Sequence, residues 1–269
     1  MLKSLGDEAR VIAGGQSLVP LISLGLANPN YLVSLDSCQD LSDVNEGKES
    51  LKIGAMVTVT EVIRSELIKE SVPILFHSAK KVATPHVRNF GTIVGNVCHA
   101  DPSSDLIPSL LCCDARVCLV SGDKNREVLL EDFVDGPFTS IIQADEIAAF
   151  ISIPRPNVEE LVAYKKIARR AGDLGIATCA VVMRRENNFL KEVKISAGGY
   201  VQKAIRIHAL EKLLTGIPLD EVKKQIDKLQ TIEEITEKLL PVGGLSEDYL
   251  SITFSRLIRS TLESALNGN

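Results

Sequence analysis

The sequence predicts an α+β protein of two domains, on three observations. Residues 10–12, 18–26 and 31–35 read as a strand, a helix and a strand in close succession, which indicates a βαβ unit with a parallel pair of strands. Further along, short runs alternate apolar and polar residues, as antiparallel strands do. With 269 residues, the chain is long enough for two domains that each bury a core.

The first domain continues with a third strand and three helices. Residues 51–55 alternate and form the strand. Thr58 and Glu61 have the spacing of a capping box, so a helix is predicted to begin there. A second helix covers residues 72–82, with Pro73 in its first turn, and it ends before Pro85. The third helix and three antiparallel strands are predicted at residues 106–113, 115–120, 127–130 and 147–153.

Pro154-Arg155-Pro156 is the predicted boundary, because two prolines within three residues interrupt regular structure. The predicted domains are therefore residues 1–156 and 157–269. The second domain begins with three antiparallel strands, the last two joined by a hairpin at residues 186–188, and helices follow. The strands cover residues 161–168, 176–184 and 190–197. A final helix over residues 247–266 has one apolar stripe, made of Leu250, Phe254, Leu257, Ile258, Leu262 and Ala265.

Two glycine-containing stretches are the candidate ligand site. Ala13-Gly14-Gly15-Gln16-Ser17 lies between a predicted strand and a helix, where backbone N–H groups can bind phosphate. Gly91-Thr92-Ile93-Val94-Gly95-Asn96 offers further amides, a hydroxyl and a side-chain amide. Two such stretches suit a diphosphate better than a single phosphate. Neither matches the P-loop or the Gly-x-Gly-x-x-Gly fingerprint, so a Rossmann or P-loop unit is not indicated.

Composition excludes several classes of function. The net charge of −5 provides no basic field for nucleic acid. No apolar run is long enough to span a bilayer, and the first ten residues do not resemble a secretory signal, so a cytoplasmic location is expected. The six cysteines lack zinc or iron-sulfur spacing, and Cys112-Cys113 is interpreted as buried filler rather than a redox pair. No Ser-His-Asp or Gly-x-Ser-x-Gly pattern supports hydrolysis.

Taken in order, the motifs resemble the FAD-binding (medium) subunits of molybdenum hydroxylases, the carbon monoxide dehydrogenase and xanthine dehydrogenase type. The resemblance rests on residues 13–18 and 92–96, and continues through residues 85–89, 100–105 and 164–173. It implies a two-part FAD-binding domain of the PCMH type, with a small parallel βαβ part and a mixed or antiparallel α+β part. A C-terminal domain with a three-stranded antiparallel sheet and helices would follow.

The resemblance also implies which residues bind noncovalent FAD, and it implies neither a catalytic side chain nor a metal ligand in this chain. The implied cofactor-binding residues are Ile12, Ala13, Gly14, Gly15, Gln16, Ser17, Leu18, Ala83, Gly91, Thr92, Gly95, Asn96, Cys98, Ser104, Asp105, Ile147 and Lys165.

The resemblance places Ser104 and Asp105 at the cofactor and Lys165 near the flavin ring, and their chemistry suggests a role for each. A carboxylate repels a diphosphate, so Asp105 is expected to meet hydroxyls of the ribityl or ribose part. Ser104 either meets the cofactor or caps the following helix. Lys165 is interpreted either as a cation near the flavin ring, where it would raise the reduction potential, or as a surface lysine. Val94 replaces the family's second glycine, so either the position is extended throughout the family or the loop is altered.

Three other features are less specific. By resemblance Arg169, Arg170 and Asp173 either gate access to the flavin or pair among themselves. Leu174 stands where some relatives carry an aromatic residue over the ring. His77, His86 and His99 are interpreted as structural, with His99 the nearest to the cofactor.

The implied function is electron transfer in a heteromeric complex. A large subunit would oxidise the substrate at molybdopterin, and a small subunit would relay electrons through two 2Fe-2S clusters to this FAD. The acceptor would be NAD, a quinone, oxygen or another acceptor. Two alternatives are a self-sufficient FAD oxidase and a cofactor-free assembly or regulatory module. The family normally has a further strand and helix before residue 13, so a version extended upstream is expected to be more stable and to bind FAD more tightly.

Overall fold

A computed structural model of the chain describes residues 1–122, 124–155, 160–229 and 231–268. These residues form two compact units, each assembled from segments that are separate in the sequence. The first unit contains Met1–Ser65, Ala83–Asp101 and Asp114–Arg155. The second contains Glu66–Val82, Pro102–Cys113 and the described residues from 160 onward. The predicted boundary includes Pro156, which lies outside the described residues, so the division at 156 stays a prediction.

The helices are α1 (Leu2–Leu5), α2 (Leu18–Ser23), α3 (Val59–Arg64), α4 (Glu66–Ser71), α5 (Pro73–Ala79), α6 (Pro85–Phe90), α7 (Ile93–His99), α8 (Leu106–Cys112), α9 (Leu130–Phe133), α10 (His208–Leu214), α11 (Leu219–Lys228), α12 (Glu233–Thr236) and α13 (Glu247–Leu266), with short 3-10 helices at Gly6–Glu8 and Gln39–Leu41. The strands are β1 (Ala9–Ile12), β2 (Tyr31–Ser34), β3 (Val44–Glu46), β4 (Ser50–Gly54), β5 (Arg116–Ser121), β6 (Lys124–Leu129), β7 (Val134–Gly136), β8 (Thr139–Ser140), β9 (Ile147–Pro154), β10 (Leu161–Ile167), β11 (Ala177–Glu186), β12 (Phe189–Gly199) and β13 (Ile205–Arg206).

The first unit begins with the predicted βαβ arrangement. β1 and β2 pair in parallel, with Ala9 opposite Tyr31 and Ile12 opposite Ser34, and α2 lies between them in the sequence. The prediction of a parallel pair is confirmed. The helix is shorter than predicted because it ends at Ser23, and Gly25 follows with a φ of 70° that a right-handed helix does not allow.

A five-stranded antiparallel sheet forms the other part of the first unit, in the order β3-β4-β9-β5-β6. It contains the third strand and the three later strands that alternation predicted. Strand β3 and the β7–β8 hairpin were not predicted, because strands of two or three residues are too short to show a periodicity.

Threonine caps precede three of the helices in residues 58–99, namely α3, α6 and α7. Thr58 accepts the Glu61 amide while Glu61 accepts the Thr58 amide, which confirms the predicted capping box. Thr84 precedes α6 and Thr92 precedes α7, and each threonine hydroxyl accepts an amide three residues later. Neither α6 nor α7 was predicted, although Thr84-Pro85 is the sequence of an N-cap followed by proline at the first helical position.

The second unit has an antiparallel sheet in the order β10-β11-β12-β13. Its first three strands and the hairpin between β11 and β12 are confirmed, whereas the two-residue β13 was not predicted. The predicted stripe of α13 is buried, and it packs with one face of the sheet in the core of the unit. The helices α5 and α8 also pack on this sheet.

A buried carboxylate joins several parts of the second unit. Glu211 lies on α10 and pairs with Arg206 of β13, with 2.8 Å between Oε2 and Nη2. Its Oε1 accepts the amide of Ile195 in β12, and Arg206 also donates to the carbonyl of Leu111 in α8. Because both charged side chains are only 9% exposed, each depends on the other for its solvation.

We therefore expect Glu211→Ala to lower the free energy of unfolding by about 3 kcal/mol, since it leaves the Arg206 charge buried. Glu263→Ala is the matched control, because Glu263 makes an exposed ion pair with Arg259, and it should cost less than about 1 kcal/mol. Urea unfolding followed by circular dichroism measures both. Equal effects of the two substitutions would contradict the assignment.

Candidate functional site

The first glycine stretch is a partly exposed turn with unused hydrogen-bond donors. Ala13–Ser17 connects β1 to α2, and within the described chain no protein acceptor is found for the amide N–H groups of residues 13–17. Gly15 has a φ of 69°, the left-handed region in which successive amides turn toward a common point. A run of such donors at a helix start is suited to bind an anion.

The second stretch uses most of its amides within the protein. The amide of Gly91 donates to the Val87 carbonyl and that of Ile93 to the Val57 carbonyl. The amides of Gly95 and Asn96 donate to the hydroxyl and the carbonyl of Thr92, respectively. Gly95 and Asn96 thus lie in the first turn of α7 rather than in an open loop.

Val94 resolves the question raised by the missing second glycine. It lies within α7 and is buried, so the position is helical and requires neither an extended backbone nor a positive φ. A β-branched residue is compatible with a helix, since it restricts only its own side-chain rotamers. An extended backbone at this position is therefore wrong for this chain, whereas an altered loop stays a prediction.

The two stretches pack directly against each other. A Cβ atom placed on Gly14 would overlap the carbonyl oxygen of Phe90 and would lie 3.2 Å from the Cα atom of Gly91. A Cβ atom on Gly91 would in turn lie 3.7 Å from Cγ of Gln16. Glycine is therefore required at position 14 by the approach of the two backbones. The first unit alone brings together the motifs that the sequence placed far apart.

Four further predicted residues of the first unit lie near element ends. Ala83 has a φ of 32°, and its carbonyl accepts a hydrogen bond from Arg88. Cys98 lies in α7, where burial raises the pKa of its thiol to about 12. Ile147 begins β9 and is half-buried. Leu18 begins α2. Their contact with a cofactor stays a prediction.

The predicted residues Ser104 and Asp105 belong to the second unit. The Ser104 hydroxyl accepts the amides of Leu106 and Ile107, so Ser104 does cap α8 as the structural interpretation expected. Both carboxylate oxygens of Asp105 have protein donors. Tyr164 donates to Oδ1 at 2.6 Å and Lys166 donates to Oδ2 at 2.8 Å, and the ion pair is buried.

Lys165 points away from this cluster. Its Nζ donates to the carbonyl and hydroxyl oxygens of Ser260 in α13. Since side chains alternate along a strand, Tyr164 and Lys166 share one face of β10 while Lys165 takes the other. The structure thus places Asp105 and Lys165 on opposite faces of the sheet. Tyr164 and Lys166 are not among the predicted site residues, although the period of two along β10 is visible in the sequence.

The remaining candidate residues lie in an exposed loop or at the end of α7. Arg169, Arg170, Asp173 and Leu174 are exposed in the loop between β10 and β11, and in the described chain no ion pair joins the first three. His99 stacks against Phe138 with ring centroids 5.2 Å apart, and burial lowers the pKa of His99. Within the described residues, no group of His, Cys, Asp and Glu side chains is placed to hold a metal ion.

Comparisons with known proteins identify the family of the chain. Residues 1–156 match the family model of the FAD binding domain in molybdopterin dehydrogenase, and residues 162–240 match that of the CO dehydrogenase flavoprotein C-terminal domain. The chain belongs to the family of FAD-binding medium subunits of molybdenum hydroxylases. It is therefore a flavoprotein subunit of the oxidoreductase class, with FAD as its cofactor.

Curated relatives include medium chains of several dehydrogenases. The chain is 33% identical to the glyceraldehyde dehydrogenase medium chain of Sulfolobus acidocaldarius over 221 residues, which are 82% of this chain and 78% of the relative. It is 28% identical to the carbon monoxide dehydrogenase medium chain of Hydrogenophaga pseudoflava over 267 residues, 98% of this chain and 92% of the relative.

Solved structures agree in fold. Carbon monoxide dehydrogenase from Hydrogenophaga pseudoflava, in a form that lacks the Mo-pyranopterin moiety, superposes with a TM-score of 0.91 at 28% identity, covering 99% of this chain and 92% of that chain. Reconstituted CO dehydrogenase from Oligotropha carboxidovorans gives a TM-score of 0.92 at 28% identity, covering 100% and 93%. The predicted α+β fold class is confirmed. No helix in the described part of the chain has the length and apolar character needed to cross a membrane.

The residues present fit FAD at its diphosphate. Residues 13–17 supply five successive amide donors with no acceptor of their own in the described chain, and such donors suit negatively charged oxygens. In contrast, Asp105 already has a donor on each carboxylate oxygen, so its expected contact with cofactor hydroxyls would have to use remaining lone pairs.

Gly14→Ala tests the contact between the stretches. The new Cβ atom must displace Phe90 or Gly91, so we expect FAD affinity to fall about tenfold and stability to fall by about 1–3 kcal/mol. Flavin fluorescence titration and thermal unfolding measure these effects. Gly136→Ala is the control, because no heavy atom lies within 4 Å of a Cβ atom there. Unchanged affinity in Gly14→Ala would refute the contact.

Lys166→Met and Lys165→Met test the two faces of β10. The first leaves the Asp105 carboxylate buried beside Tyr164 and should cost about 3 kcal/mol. The second removes hydrogen bonds to Ser260 and should cost about 1 kcal/mol. Urea unfolding of the two variants compares them, and a larger loss in Lys165→Met would show that the assignment is reversed.

The pH dependence of stability tests the Tyr164 environment. Burial, and then the Asp105 carboxylate, raise the pKa of Tyr164 well above its usual value of 10.0. The unfolded chain therefore loses this proton first, so the contribution of Tyr164 to stability is complete below pH 10 and is lost as the pH rises further. We expect Tyr164→Phe to lose stability less steeply than the wild type above pH 10, as measured by urea midpoints across that range. Parallel curves would contradict this.

Proposed function

We propose that this chain carries electrons inside a molybdenum hydroxylase complex. A small partner subunit with two 2Fe-2S clusters would supply the electrons, and a large subunit with molybdopterin would oxidise the substrate. The chain would pass the electrons through FAD to an acceptor such as NAD, a quinone or oxygen. Bound FAD supplies the chemistry of accepting and releasing electrons, since the cofactor rather than the protein is redox-active.

The packing of the two glycine stretches is the observation that carries the proposal. It places five unused amide donors of residues 13–17 beside the start of α7, within the part of the chain that matches the FAD-binding family. The Ser17 and Thr92 hydroxyls stand at the ends of these stretches. In this proposal the amides hold the diphosphate, and the rigid backbone of the second stretch fixes where the cofactor lies.

The relatives support a role within an assembly. Two of them are named as medium chains, a third as nicotine 6-hydroxylase medium subunit and a fourth as 6-hydroxypseudooxynicotine dehydrogenase complex subunit alpha. A medium chain implies companions of other sizes. The substrates in these names differ, which is what we expect if the substrate site lies in another subunit.

The cofactor part is tested with the full chain alone. After incubation with excess FAD and desalting, the folded protein should retain the visible absorption of oxidised flavin, whereas Gly14→Ala should retain less. A colourless, folded wild-type chain would overturn the proposal at its first step.

The electron route is tested by purification from the native host and by rapid mixing. We expect two further subunits to copurify with the chain. The 2Fe-2S subunit, reduced with dithionite and freed of the excess, should bleach the flavin absorption when it is mixed with the FAD-loaded chain without oxygen. If the clusters stay reduced and the flavin stays oxidised, the proposed order of electron transfer is wrong.

A further inference from the structure

The β7–β8 hairpin of the first unit contains a phenylalanine where a glycine is expected. Val134 pairs with Ser140 and Gly136 with Thr139, so Pro137 and Phe138 form a two-residue turn. Proline at the second position and a positive φ at the third are typical of a type II turn, which favours glycine at that third position. Phe138 has a φ of 53°, a conformation that costs an L residue about 1 kcal/mol.

Packing in the core does not compensate for this strain. The Phe138 side chain is 61% exposed, so its ring is not part of the core of the unit. Two contacts join Phe138 to the end of α7. The Phe138 amide donates to the carbonyl of Ala100 at 3.0 Å, and its ring lies 5.2 Å from that of His99 at an interplanar angle of 52°. The hairpin therefore holds the C-terminal end of one particular helix.

That helix carries the second glycine stretch. α7 has seven residues, and a helix of this length is not stable without tertiary contacts. Its start is fixed where Ile93 donates to the carbonyl of Val57, and its end is fixed by the hairpin. Since the rise is 1.5 Å per residue, about one turn separates Asn96 from His99. A displacement at His99 thus reaches Gly95 and Asn96 with little attenuation.

We propose that Phe138 is a positioning residue for the cofactor site, which acts through His99 and the end of α7 on Gly95 and Asn96. The strained turn orients the aromatic ring against His99, and the ring pair adds to the buried Ile93, Val94 and Val97 in setting the orientation of α7. This inference rests on the proposed role of the second stretch in binding FAD.

Replacement of Phe138 by glycine tests the proposal, because strain affects the melting temperature whereas positioning affects FAD affinity. Phe138→Gly relieves the backbone strain but also loses the contact with His99, so the two effects oppose each other and its melting temperature should stay close to that of the wild type. It also removes the ring pair, so FAD should bind about fivefold to tenfold more weakly, with an altered flavin circular dichroism spectrum. Phe138→Tyr keeps the ring and should restore affinity and spectrum.

A matched control and a double-mutant cycle separate this effect from general strain relief. Asn187→Gly relieves the same φ of 53° in the β11–β12 hairpin of the second unit, and it should leave FAD affinity unchanged. His99→Ala should weaken FAD binding as Phe138→Gly does, and the double variant should lose little more than either single one.

The inference is overturned if Phe138→Gly binds FAD within about twofold of the wild type, or if its effect adds fully to that of His99→Ala. Both Phe138→Gly and His99→Ala lose the ring pair, and only Phe138→Gly relieves strain, so a melting temperature that falls as far in Phe138→Gly as in His99→Ala would refute the assignment of strain. If wild-type protein itself failed to bind FAD, the proposed function would fall with it. Normal binding by both wild type and Phe138→Gly removes the positioning role alone.

Discussion

The approach of the Gly14 backbone to the carbonyl of Phe90 is the constraint on which the site depends. No side chain fits between these two segments, so the turn after β1 and the end of α6 have a single spacing. That spacing sets the amides of residues 13–17 beside the first turn of α7. A parallel βαβ unit and a short helix, each too small to be stable alone, thereby become one surface that can hold an anionic ligand.

The two stretches then have different tasks. The amides of the first have no acceptor within the described chain, whereas those of Gly91, Ile93, Gly95 and Asn96 are hydrogen-bonded to the protein. The first stretch is thus suited to binding charge and the second to defining shape. In the second unit, the buried Asp105 carboxylate accepts a hydrogen bond from Tyr164 on one oxygen and from Lys166 on the other. These bonds hold the start of α8 in place.

Periodicity and motif order were sufficient for much of this fold. The βαβ unit, the capping box at Thr58, the antiparallel strands and the stripe of α13 all have local signals, and the structure has each of them. The close approach of Gly14 to Phe90 has no local signal, because it depends on how distant segments pack. The same holds for the strained Phe138, whose turn would have been read as favouring glycine. Strand alternation places Lys165 and Lys166 on opposite faces of β10. It does not show which face Asp105 approaches, so the ion pair between Asp105 and Lys166 could not be predicted from the sequence.

Backbone hydrogen exchange, measured residue by residue with and without FAD, tests the division between the stretches most directly. In the free chain the amides of residues 13–17 should exchange rapidly, while those of Ile93, Gly95 and Asn96 should already be protected. Saturating FAD should slow exchange at residues 13–17 and change the second set little. If FAD binds and the amides of residues 13–17 still exchange as in the free chain, the first stretch does not hold the cofactor and the central claim is wrong.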